Sequence, residues 1–155
     1  MRAFIHMPET ILDRVTEQMK IAMKARKKER VAALRLMLAE LRNVEIDERI
    51  KLDDLRALAI LDKMSKQRND SKAQYREAGR KDLEEKEGFE LSVIEEFMPE
   101  KLGEKEIVDL VDKAIRETGA EGMQDMGNIM SILKPKVQGK ADMSMVSALV
   151  KSKLN

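Results

Sequence analysis

Apolar residues recur at steps of three and four along most of the chain, which is the spacing of one face of an α-helix. The first stripe begins after Thr10, whose hydroxyl can cap a helix start, and the fourth ends before Pro99. Gly79 suits the end of the third helix. The pattern therefore predicts four helices before Pro99. Their stripes are Ile11–Val15–Met19–Ala22, Val31–Leu34–Leu38–Leu41, Leu55–Leu58–Leu61–Met64 and Leu83–Leu91–Ile94–Phe97.

Beyond Pro99 the predicted elements are shorter and are separated by Gly119, Gly122, Pro135 and Gly139. They predict three more helices, at about residues 105–118, 123–134 and 142–153. Apolar heptads do not persist long enough for a coiled coil. The fold class is therefore predicted to be all-α, with about four helices followed by three. The predicted organisation is a flexible leader over 1–9, an N-terminal helical domain over 10–98 and a smaller three-helix domain over 104–155.

The amino-acid composition is consistent with a helical fold and excludes several classes of functional site. Of the 155 residues 38% are charged, and there is one Tyr and no Trp, so strand formers are scarce. No cysteine is present, which excludes disulfides and thiolate metal sites, and the single histidine, His6, falls in the leader. No apolar run is long enough to span a membrane, and the opening segment is too short for a secretory signal. We expect a cytoplasmic protein that has no cofactor and no metal and makes no membrane contact.

Charge is spread unevenly although the net charge is only +1. Residues 1–81 carry 20 basic and 13 acidic groups, a net of +7. Residues 82–125 carry 5 basic and 15 acidic groups, a net of −10, and residues 126–155 carry 5 basic and 1 acidic, a net of +4. Such segregation is typical of proteins that bind a charged partner.

The last basic segment is the strongest candidate site. Its lysines cluster on a predicted loop shaped by Pro135 and Gly139, just before a helix capped by Asp142. The free N–H groups of a helix N-terminus suit a phosphate. A solvated loop explains the same lysines, so both interpretations stay open. The candidate phosphate-binding residues are Lys134, Lys136, Gly139, Lys140, Lys151 and Lys153.

A second basic stripe follows the predicted third helix. Its members lie four residues apart and share one face, so they can face a polyanion or pair with the acidic fourth helix. They are Arg68, Lys72, Arg76 and Arg80. A third basic group at the first turn, from Lys20 to Arg35, is interpreted as a solvated face. Glu95 and Glu96 neighbour lysines on exposed helix ends, and we predict no catalytic residue.

Several strings of residues, in consistent order from about Thr10 to Leu154, resemble the YqeY family. No single string is diagnostic, but the ordered set is specific. The strings are Met23-Lys24-Ala25-Arg26, Lys66-Gln67-Arg68-Asn69-Asp70-Ser71, Ala78-Gly79-Arg80-Lys81-Asp82-Leu83, Met98-Pro99-Glu100, Asp125-Met126-Gly127, Lys134-Pro135-Lys136, Gly139-Lys140-Ala141-Asp142 and Val146-Ser147-Ala148-Leu149-Val150-Lys151. Glu121-Gly122 departs from the family, whose turn there is often serine-rich.

The resemblance implies an all-helical protein whose smaller C-terminal part is related to the tail of the GatB subunit. GatB belongs to the glutamine-dependent aspartyl/glutamyl-tRNA amidotransferase, a carbon–nitrogen ligase, and its tail is regarded as a tRNA-holding module. The catalytic domain of that enzyme has no counterpart here, so the resemblance implies a tRNA-binding accessory role in translation without catalysis. A helical protein–protein adaptor without RNA contact is the alternative, and an enzyme in its own right is the third interpretation.

Overall fold

The computed structural model describes residues 9–155, so the first eight residues of the predicted leader, including His6, lie outside the described part. The described residues form seven α-helices and one short 3-10 turn, Met123–Asp125, and contain no strand. The prediction of an all-α fold is therefore confirmed. The helices are α1 (Ile11–Lys24), α2 (Lys28–Glu48), α3 (Asp54–Glu77), α4 (Lys81–Glu95), α5 (Glu104–Thr118), α6 (Met126–Val137) and α7 (Met143–Leu154).

Local capping chemistry explains where several helices begin and end. Thr10 and Asp13 form a reciprocal capping box: the Thr10 hydroxyl accepts from the Asp13 N–H at 3.1 Å, and the Asp13 carboxylate accepts from the Thr10 N–H at 3.2 Å. Asp53 caps α3 by accepting from the Arg56 N–H at 2.8 Å. Gly79 follows α3 with φ +70°, the left-handed conformation that glycine adopts without strain. These boundaries agree with the sequence pattern.

The internal contacts of the chain divide it into two compact units, one ending at Phe97 and the other running from Met98 to Asn155. Whether each unit is an independent domain stays a prediction. In the first unit α1 packs along α2, α3 packs along α4, and α2 also contacts α3 and α4. Its fully buried large side chains come from α1 to α4. They are Val15, Leu34, Met37, Leu41, Leu61, Val93 and Ile94.

The second unit has a core of its own, built from α5, α6 and α7. Its buried side chains are Ile107, Val111, Ala114, Ile129, Leu133, Val137, Ala141, Val146, Val150 and Leu154. The segment before α5 joins this core, because Leu102 packs against it and donates its N–H to the Lys140 carbonyl at 2.9 Å. The turn between α6 and α7 is thereby fixed to the start of the unit.

The end of α6 corrects one sequence prediction. The helix continues to Val137, so Lys134, Pro135 and Lys136 lie in its last turn and only residues 138–140 form the turn that follows. Pro135 cannot donate a backbone hydrogen bond and normally disfavours helix. Leu133 and Val137, both fully buried, anchor the turn on either side of it. Core packing therefore outweighs the one hydrogen bond that the proline removes.

Candidate nucleic-acid interface

The candidate lysines of the second unit lie on a helix end rather than on a loop. Lys134 and Lys136 are exposed, Lys140 is partly exposed, and none of the three has a carboxylate partner among the described residues. Because residues two apart on an α-helix point about 200° apart, Lys134 and Lys136 diverge from one another. Each lysine can bind a different phosphate, but the two cannot bind the same one.

Gly139 and Lys140 form the turn that leads from α6 to α7. Gly139 has φ +75°, which lets the chain reverse directly after the helix. The Lys140 N–H donates to the Val137 carbonyl at 2.9 Å, and its own carbonyl accepts from Leu102. The backbone of this turn is therefore held on both sides, while Lys140 as a whole is partly exposed.

The N-terminus of α7, which the sequence-based hypothesis offers to a phosphate, carries a carboxylate of its own, and the phosphate site there stays a prediction. Asp142 caps the helix, and its Oδ1 accepts from the Ser144 N–H at 2.9 Å. A carboxylate at this position satisfies a free N–H group and repels a second anion. A phosphate near this end of α7 would therefore meet the Asp142 carboxylate as well as the lysine side chains.

The two lysines at the end of α7 have different environments. Lys153 pairs with Asp112 of α5, with Nζ 2.6 Å from Oδ1, so it links two helices of the second unit. Lys151 is exposed and has no carboxylate partner among the described residues. Lys151 is thus available to a ligand, whereas Lys153 would first have to leave Asp112.

The second basic stripe is largely neutralised by α4. Arg68 lies 3.2 Å from Glu87 and 2.8 Å from Glu90, and Arg76 lies 2.7 Å from Glu84. Arg80 meets Asp82 at 3.2 Å. Lys72 is the member of the stripe that has no carboxylate partner in the described residues. Of the two interpretations left open by the sequence, the structure shows ion pairing between α3 and α4.

Comparison with known proteins identifies the family of the chain. The family model for Yqey-like proteins matches residues 12–154, nearly the whole length. The chain belongs to the YqeY family.

Two relatives of this YqeY-family chain carry further information. It is 30% identical over 137 residues to "Altered inheritance of mitochondria protein 41, mitochondrial" of Pyrenophora tritici-repentis. The aligned residues make up 86% of this chain and 75% of that protein. It is also 33% identical over 79 residues to an uncharacterized protein of Schizosaccharomyces pombe, and those residues make up 51% of this chain and 64% of that protein. The names of these two relatives state no ligand.

The ion pairs of this YqeY-family member are electrostatically coupled. The hydrogen bond from Arg80 lowers the pKa of Asp82, and the same contact raises the pKa of Arg80. The hydrogen bond with Glu96 likewise raises the pKa of Arg30, which meets Glu96 through two nitrogens at 2.6 and 3.1 Å. The contact between Arg30 and Glu96 also joins α2 to the end of α4.

The acidic side chains of the described residues do not gather into a metal site. No group of three or more His, Cys, Asp or Glu side chains among residues 9–155 is placed to hold an ion. None of the described helices combines the length and apolarity that crossing a bilayer requires.

The structure also draws attention to the corner between α1 and α2, which the sequence pattern presents as a solvated face. Its cations are exposed and have no carboxylate partner among the described residues. They are Lys20, Lys24, Arg26, Lys27, Lys28 and Arg35.

The backbone and the surface shape of this corner are also unusual. Arg26 adopts φ +57°, the left-handed conformation that a non-glycine residue seldom adopts. A surface cavity of about 440 Å³ lies at this corner and is lined in part by Met23, Val31 and Arg35. Spacing alone gives no signal for it, because the cavity needs both helices.

Proposed function

We propose that this YqeY-family protein binds folded tRNA through phosphate contacts, as an accessory module related to the GatB tail, and carries out no bond-making step. The supporting observation is the set of exposed lysines without carboxylate partners in the second unit. They are Lys134, Lys136, Lys140 and Lys151. They dominate residues 126–155, where 5 basic groups face 1 acidic group. The kinship with a tRNA-holding module is a family-level argument and supplies the RNA class.

The arrangement of these lysines favours contact with a folded backbone over reading of bases. Lys134 and Lys136 diverge by about 200° around α6, so they suit phosphates on separate stretches of a duplex. A single-strand platform would need aromatic side chains for stacking, and the chain has one Tyr and no Trp. Phosphate contacts carry no direct sequence information, so the proposed binding is similar for different tRNAs.

The salt dependence of tRNA binding tests this proposal. Changing Lys134, Lys136 and Lys140 together to Ala removes up to three phosphate contacts. Each contact contributes about 0.7 to 0.9 to the slope of log affinity against log salt concentration, because it releases condensed counterions. We expect the slope to flatten by roughly two to three units for every tRNA tested. Filter binding or fluorescence anisotropy over a salt series measures it.

A matched variant separates a local site from overall charge. Lys101, Lys105 and Lys113 are exposed lysines of the same unit, and changing them to Ala alters the net charge equally. Their replacement is expected to leave the slope within one unit of the wild-type value. If the Lys134, Lys136 and Lys140 variant keeps the wild-type slope, the C-terminal lysines are not the site. Wild-type protein without any salt-dependent tRNA binding would refute the RNA proposal and favour the protein adaptor.

We propose the cytoplasm as the location of this protein, and cell fractionation with a tagged chain tests it. The name of the Pyrenophora relative places that protein in mitochondria. Recovery of the tagged chain with the organelle fraction, protected from added protease, would overturn the cytoplasmic proposal.

A further inference from the structure

Helix α2 carries a second apolar stripe that nothing in the described chain covers. One side of the helix supplies the core of the first unit through buried residues that include Leu34, Met37 and Leu41. The other side exposes Leu36, which is 49% exposed, and Ile46, which is 72% exposed. The full exposed stripe is Ala32, Leu36, Ala39, Asn43 and Ile46.

The spacing of this stripe is that of a helix-pairing seam. Its members are separated by four, three, four and three residues, an average of 3.5, which is the heptad repeat of left-handed helix pairs. In heptad notation Leu36 and Asn43 occupy position a, and Ala32, Ala39 and Ile46 occupy position d. A single polar Asn at an a position is a known determinant of register in two-stranded parallel pairs.

The charges beside the seam are complementary for two copies of α2 that run parallel. Arg35 and Arg42 occupy position g, and Glu40 and Asp47 occupy position e. In a parallel pair each g side chain meets the e side chain five residues further along the other helix. Arg35 would therefore meet Glu40 of the partner subunit, and Arg42 would meet Asp47 of the partner subunit. All four side chains are exposed and have no ion-pair partner among the described residues.

Two cavities of opposite charge extend this complementarity to both sides of the seam. Ala32 borders both of them. One, of about 440 Å³, is basic and includes Lys28 and Arg35; the other, of about 350 Å³, is acidic and includes Glu29 and Glu85 with Phe89. At 100° per residue, Lys28 and Arg35 lie on one side of Ala32, and Glu29 lies on the other. A two-fold axis parallel to α2 would place each basic cavity against the acidic cavity of the other copy.

We propose that the exposed face of α2 binds a second copy of this chain, forming a parallel two-fold dimer centred on Leu36 and Ala39. The seam spans about two heptads and contains two alanines, so it buries little apolar surface by itself. The flanking charges therefore supply much of the specificity, and added salt weakens the dimer. This proposal goes beyond tRNA binding and concerns different residues, so either can fail without the other.

A charge exchange tests both the partner and its direction. Arg35→Glu or Glu40→Arg alone places like charges together twice per dimer and is expected to raise the dimer dissociation constant by about tenfold. The double variant restores the pair with reversed charges and is expected to return the constant to near the wild-type value. Sedimentation equilibrium at low salt measures it, and Lys63→Glu, an exposed cation of α3, is the control. Failure of the double variant to recover would exclude the parallel arrangement.

Cysteine cross-linking gives an independent test, because the chain contains no cysteine. In a parallel two-fold pair residue 39 faces its own copy, at a separation that a disulfide can bridge. Under mild oxidation Ala39→Cys is expected to form a covalent dimer far faster than Ala73→Cys, which places the thiol on an exposed position of α3. Circular dichroism verifies that both variants are folded.

Three results would overturn the proposal. The first is a wild-type protein that stays monomeric across the whole concentration series. The second is cross-linking of Ala39→Cys no faster than Ala73→Cys. The third is an Arg35→Glu variant that loses tRNA affinity while its dimer dissociation constant stays at the wild-type value, which would make this face an RNA contact instead.

Discussion

At the scale of single residues, the turn between α6 and α7 depends on the backbone of Gly139. Its φ of +75° lies in the left-handed region, where a Cβ atom approaches the following carbonyl oxygen. Gly139→Ala is expected to destabilise the protein by about 1–2 kcal/mol. Urea denaturation followed by circular dichroism measures the change.

Gly127 provides the matched control for that substitution. It lies in the first turn of α6, outside the left-handed region, and a Cβ atom added there would have no neighbour within 4 Å. Gly127→Ala is therefore expected to leave stability unchanged or to raise it by about 0.4–1 kcal/mol, because it restricts the unfolded chain. Equal destabilisation by both substitutions would show that the conformation of Gly139 is not the cause.

At the scale of elements, α3 and α4 are joined by ion pairs that differ in burial rather than in distance. Arg68 and Glu90 lie 2.8 Å apart with side chains 26% and 12% exposed. Arg76 and Glu84 lie 2.7 Å apart, but the Arg76 side chain is 69% exposed. Water and salt screen the second pair more strongly, so equal geometry does not imply equal stabilisation.

Double-mutant cycles test this difference. For Arg68→Ala with Glu90→Ala we expect a coupling free energy of about 1–2 kcal/mol, since removal of Arg68 leaves the Glu90 carboxylate, which is 12% exposed, without its partner. For Arg76→Ala with Glu84→Ala we expect less than about 0.5 kcal/mol. Chemical denaturation of the four single variants and two double variants gives both values. Equal couplings would contradict the role given to burial.

At the scale of the whole molecule, the connection between the two units is short. Phe97 is buried in the first unit, whereas Leu102 packs on the core of the second. The residues between them, 98–101, form neither helix nor strand. Exposed irregular backbone is where proteases cut first.

We predict that the second unit is an independent domain. Limited proteolysis is expected to cut within 98–103, and a fragment spanning 98–155 is expected to be helical and to unfold cooperatively, because its core is complete within that range. Mass spectrometry locates the cut, and circular dichroism during heating follows the fragment. A fragment without cooperative unfolding would show that the two units form one domain.

Much of this fold is determined by local sequence. The helices follow from apolar stripes at helical spacing, and their ends follow from side chains such as Thr10, Asp53 and Asp142 and from Gly79, all of which act within a few residues. These interactions need no tertiary partner, so the pattern predicts them directly. The ordered strings of residues likewise suffice to indicate the family.

Tertiary structure decided what the charged side chains and the second face of α2 can do. Spacing places Arg68 and Arg76 on α3, but only the packing of α3 on α4 brings their carboxylate partners within reach, whereas Arg80 meets Asp82 two residues along the chain. Burial of Leu133 and Val137 keeps Lys134 and Lys136 helical despite Pro135, which separates the lysines that the sequence seemed to cluster. A helix with apolar residues on two sides gives no indication of which side is buried. In α2 the core buries Leu34, Met37 and Leu41. Leu36 and Ile46 stay exposed, because they lie on the side of α2 that faces away from the other helices of this unit.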